Sequence, residues 1–117
     1  MRTLKELMSK HKKIWFCIDS EVCRDFVNQC NANGYSFSNG NPFSLIACAR
    51  IMVLNADDKS IWYSGGMAGG YYRKSFNAYT GNKRRKGENL AVVVSYKAYI
   101  SGESRYIINS YNEYVEP

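Results

Sequence analysis

Cys23, Phe26, Val27 and Cys30 stand at positions i, i+3, i+4 and i+7, between KIWFCID, rich in aromatic and β-branched residues, and YSFSNG, which spaces Tyr35 and Phe37 two apart. The central pattern gathers four apolar side chains on one helix face, whereas the flanking segments suit strands. Asp19 and Ser20 are good N-caps, and Glu21 and Asp25 place negative charge in the first turns, where the helix dipole favours it. Asn33 and Gly34 supply a left-handed stop. A strand, a helix over about 21–32 and a second strand, joined by short loops, predict two strands of one sheet with the helix packed on a face. A chain of 117 residues is enough for one core and too short to divide, so one domain over 1–117 is expected.

The flanks of this unit extend the pattern. Leu4, Leu7 and Met8 predict a short N-terminal helix, with Lys10, Lys12 and Lys13 toward its C-terminal side. Gly40 and Pro42 mark a turn after YSFSNG. SLIACARIMVL is a nearly continuous apolar run that suits a central strand, with a buried helix as the alternative. NADDKS is a hairpin turn in which Asp57 and Asp58 serve as turn formers, and IWYSG is the returning strand. YYRKSFNAY suits another strand. LAVVVSYKAYI suits the longest one, because Leu90, Val92, Val94, Tyr96, Ala98 and Ile100 alternate onto one face. SGES turns the chain and RYIINSYNEYV closes it as an edge strand, a place where a second copy could pair to make a homodimer. The predicted fold class is α+β: a mainly antiparallel sheet of about five to seven strands, one main helix on one face and a short N-terminal helix.

Hydrophobic residues at 45% and charged residues at 22% are the balance of a folded chain, not a disordered one. No run approaches the roughly 18 apolar residues of a membrane span, and MRTLKELMSKHKK lacks a signal peptide's apolar segment, so a cytoplasmic protein is expected. In that compartment Cys17, Cys23, Cys30 and Cys48 read as buried apolar thiols, since no CxxC pair offers close zinc ligands. No metal or cofactor is expected. His11 lies in a basic segment without an acid to orient it, and Asp57 and Asp58 diverge as neighbours in a turn. No spacing suggests a catalytic assembly, which points away from an enzyme.

Charge is the informative signal. The formal total is +6, yet residues 1–13 hold five cations against Glu6, and residues 73–86 hold six cations with no acid. Clustered charge of this kind favours an anionic partner. The second cluster follows the glycine-rich SGGMAGG, with Gly65, Gly66, Gly69 and Gly70, a connection or a ligand loop in which backbone N–H groups can approach an anion. It lacks the Lys and Ser or Thr of a Walker A loop. Tyr71, Tyr72, Arg73 and Lys74 come next, joining aromatic faces that stack on bases to cations that meet phosphates. Lys83, Arg84, Arg85 and Lys86 would then form the tip of a basic hairpin between YYRKSFNAY and LAVVVSYKAYI, either a groove-reaching arm or a solvated turn.

Residues 13–40, with an aromatic strand, a polar helix start, Phe26 inside the helix and an exit through Gly34, Tyr35, Phe37 and Gly40, resemble the opening of small proteins of phages and prophages of Gram-positive bacteria. The resemblance implies a bacterial host and a binding role, since such proteins include anti-CRISPR inhibitors and proteins that sequester signalling nucleotides. The expected function is a non-enzymatic, phage-type inhibitor of a bacterial defence system. Its partner would be a defence nucleoprotein, guide RNA or a signalling nucleotide. A general RNA or single-stranded nucleic-acid-binding module is the alternative, and a nucleotide-acting enzyme the third reading.

Overall fold

The computed structural model describes residues 2–37, 40–63, 92–108 and 114–117. Helix α1 (Leu4–Lys10) is capped by Thr3, whose side chain accepts from the Glu6 N–H, and it buries Leu4, Leu7 and Met8. Strand β1 (Lys13–Cys17) follows, then a 3₁₀ turn over Ser20–Val22 leading into helix α2 (Cys23–Ala32). Asp19 stands at the N-cap of the 3₁₀ turn without a side-chain hydrogen bond, so the expected cap contributes by charge and backbone shape only. Helix α2 buries Phe26, Val27 and Cys30 and stops at Asn33, with Gly34 at φ 80°. The remaining elements are β2 (Ser36–Phe37), a 3₁₀ turn over Leu45–Ala47, β3 (Ile51–Asn55), β4 (Ser60–Tyr63), β5 (Val92–Ser95), α3 (Tyr96–Ile100), β6 (Ile107–Ile108) and β7 (Tyr114–Val115).

Among the described residues the strands form one seven-stranded sheet in the order β2-β4-β3-β1-β5-β6-β7. It is mixed and mostly antiparallel; β1 with β5 and β2 with β4 are the parallel pairs. The fold is α+β, and β1 and β2 share one sheet as their short loops required.

One sheet face carries the main core. Phe26 of α2 packs its ring 5.2 Å from Phe16 of β1, 4.9 Å from Tyr96 of α3 and 5.9 Å from Phe43. Tilted and edge-to-face pairs of this kind each contribute about 0.5–1.5 kcal/mol beyond area burial. The opposite face bears a cross-strand row: Trp62 opposes Val53, Val53 opposes Trp15, Trp15 opposes Val93, and Ile108 opposes Tyr114. Trp15, Val53, Val93 and Ile108 are buried, so the central strands are covered on both faces.

Three sequence expectations are corrected. LAVVVSYKAYI is not one strand: β5 ends at Ser95, whose side chain accepts from the Ala98 N–H and starts α3. The apparent alternation misled because all four β5 residues are buried, as in a strand covered on both sides, while Tyr96 and Tyr99 bury at helical spacing. Strand β5 lies between β1 and β6 in the sheet; the basic hairpin expected before it falls outside the described residues. SLIACARIMVL is divided: only Ile51–Asn55 is strand, and Leu45 and Ile46 in the 3₁₀ turn are exposed, Ile46 completely. RYIINSYNEYV contributes two short paired strands, β6 and β7, instead of a single one.

Candidate binding surfaces at the two poles of the sheet

Because β1 and β5 run parallel in register, with Ile14 opposite Val92 and Cys17 opposite Ser95, the sheet has an amino pole and a carboxyl pole. At the amino pole, Lys12 and Lys13 lead into β1, and the Lys12 carbonyl accepts from the Ala56 N–H at 2.7 Å, which fixes the β3–β4 turn beside them. That turn is held by Asn55 and Asp58: Asn55 Oδ1 accepts from the Asp57 N–H at 3.2 Å and Asp58 Oδ1 from the Ser60 N–H at 3.1 Å. It adds Lys59 to the pole alongside the exposed Asp57 and Asp58.

The five N-terminal cations divide into two kinds. Arg2 is a structural residue: its Nη1 donates to the carbonyls of Tyr99 and Glu103, and its guanidinium lies 5.4 Å from the Tyr99 ring centroid and 5.0 Å from that of Tyr106. This cradle ties the N-terminus to α3. Lys5, Lys10 and Lys12 are exposed and Lys13 is half-buried. Among the described residues the ion pair is Lys97 with Glu21, at 2.6 Å, so these four lysines have no carboxylate partner there. His11 is half-buried rather than freely solvated, and burial, followed by the neighbouring Lys10, lowers its pKa.

The carboxyl pole is concave. Strand β1 continues through α2 to β2 on one side of the sheet, and β5 through α3 to β6 on the other, so the exits of two adjacent parallel strands diverge there. In open α/β sheets such a divergence leaves a crevice where ligands bind. A cleft of about 590 Å³ lies at this point, lined by Asp19, Ser95, Lys97, Glu103, Arg105 and Tyr114. A second, of about 450 Å³, shares Asp19 and is lined also by Glu21, Cys23, Cys48 and Arg50. Its charges are mixed. Inside it the Cys48 thiol donates to the Ala49 carbonyl at 3.7 Å and has Cys23 as its neighbour; burial, followed by that neighbour, pushes the Cys48 thiol up to about 12.

The cysteines are not all buried, as the sequence suggested: Cys30 is, whereas Cys17, Cys23 and Cys48 are half-exposed, and all four are reduced thiols. Cys23 and Cys48 are neighbours although 25 positions apart, which no local spacing motif could reveal. The other expected site residues, Gly65, Gly66, Gly69, Gly70, Tyr71, Tyr72, Arg73, Lys74, Lys83, Arg84, Arg85 and Lys86, lie outside the described residues, as does the strand expected for YYRKSFNAY. Among the described residues no helix is long and apolar enough to cross a membrane.

The chain matches no protein-family model, no curated protein and no solved structure.

Proposed function

We propose that this chain is a non-enzymatic binding protein whose basic amino pole docks an anionic partner, and that it serves as a phage-type inhibitor of a nucleoprotein effector in a bacterial defence system. The observation that carries the reading is the set of Lys10, Lys12 and Lys13, which close α1 and lead into β1 at the amino pole and make no ion pair among the described residues. Carboxylates that already paired these ammonium groups would leave little potential for a partner. Unpaired, they raise local anion concentration and association rate.

The resemblance of residues 13–40 to small phage proteins supplies the defence context.

The test is a pull-down and gel-shift panel of bacterial defence effectors with and without their guide RNA, single-stranded nucleic acids and cyclic nucleotides. The proposal expects one nucleoprotein retained at fixed stoichiometry, and weakened retention when Lys10, Lys12 and Lys13, or Lys83 to Lys86, are replaced by alanine. Uniform binding to every nucleic acid would favour the general RNA-binding module. No binding across the panel, or retention indifferent to both sets of substitutions, would remove the proposal.

A further inference from the structure

The Cys23 and Cys48 thiols make a pair that the proposed docking surface does not use. Cys23 is the first residue of α2, and Cys48 follows the 3₁₀ turn over Leu45–Ala47, so two independent segments deliver the sulfurs to one place. They are neighbours, both are half-exposed, and both line the same cleft of about 450 Å³ at the carboxyl pole. Access and proximity are therefore present together. Cys30, by contrast, is sealed in the core at 0% exposure.

The chemistry of two sulfurs narrows the ligand. Thiolates are soft donors that select soft cations. Zinc in structural sites takes four ligands, and among the described residues no group of three or more His, Cys, Asp or Glu could hold a metal ion. A cation satisfied by two thiolates fits better, and monovalent copper is that cation. Asp19 at the cleft wall favours its approach, whereas Glu21 is paired with Lys97 and Arg50 opposes it.

We propose that Cys23 and Cys48 form a two-thiolate binding site for Cu(I). Binding breaks two S–H bonds heterolytically, forms two Cu–S bonds and releases two protons to solvent; no electron is transferred. At Cys48 burial holds the proton more firmly than in a free thiol, so capture there is by displacement of that proton.

The test is an anaerobic titration of the reduced full chain with Cu(I) buffered by bicinchoninate, followed by iodoacetamide labelling and peptide mass spectrometry. The expected result is one tightly held ion per chain, with Cys23 and Cys48 protected from alkylation while Cys17 stays as reactive as before. Cys23→Ser and Cys48→Ser should each lose the ion, and Cys17→Ser should keep it. Failure of the protein to compete with bicinchoninate, or binding that leaves Cys23 and Cys48 equally alkylated, overturns the site. The labelling arm uses the unmodified protein, so it decides the matter even where a serine variant does not fold.

Discussion

Tyr96 shows how one residue fixes the relation between helices. Its ring is fully buried against Phe16 and Phe26, while its hydroxyl donates to the Asp25 carboxylate, so α3 is pinned to α2 by both an apolar and a polar contact. Burial, then the hydrogen bond to Asp25, raises the phenol's pKa, which keeps it a donor throughout the physiological range. Tyr96→Phe keeps the ring and deletes the bond. Hydrogen bonds to charged groups contribute about 1.5–3 kcal/mol, so urea unfolding should show a loss toward the lower end of that range, because Asp25 is exposed and regains water. A midpoint unchanged from the parent would mean that the hydroxyl contributes nothing.

At the scale of elements, Ser95 marks the change from β5 to α3 and makes that change testable. Its side chain accepts from the Ala98 N–H at 3.3 Å and its own N–H donates to the Tyr106 carbonyl at 2.9 Å, so one residue ends the strand, caps the helix and holds β6. Ser95→Ala removes the cap alone and should destabilise by about 1 kcal/mol in chemical denaturation; Ser95→Thr should recover much of the loss. The same junction shows where the sequence was legible. Helix α2 could be read from Cys23, Phe26, Val27 and Cys30 because the helix has one solvent face, and its stop at Gly34 could be read because φ 80° suits glycine. Strand β5 could not be bounded, because a strand buried on both faces has no polar side to break the pattern, and the valines run into Tyr96 without punctuation other than Ser95. Pairing was hidden for a related reason. The parallel partnership of β1 and β5 joins segments nearly 80 positions apart, and no hairpin turn announces it. The larger carboxyl-pole cleft depends on that partnership, and the nearness of Cys23 to Cys48 on the pairing of β1 with β3, so neither could be read from spacing.

At the scale of the whole molecule, charge and topology divide the work between two poles. The carboxyl pole is concave and of mixed charge; the amino pole carries Lys12, Lys13 and Lys59 beside Asp57 and Asp58, with none of these lysines in an ion pair among the described residues. Arg2, the cation most deeply involved in folding, is held by Tyr99 and Tyr106, which explains why the lysines rather than the arginine are free to meet a partner. A surface of this kind binds through counterion release, so its affinity for a polyanion must fall as salt rises. The most direct measurement is the salt dependence of binding to the guide-RNA-loaded effector retained in the panel, for the parent chain and for the triple variant Lys10→Ala, Lys12→Ala and Lys13→Ala. Each phosphate that a cation neutralises on a single strand adds about 0.7 to the log–log slope, so the account predicts a shallower slope for the variant, by up to about 2, together with weaker binding at low salt. Parallel slopes and equal affinities for the two proteins would contradict it.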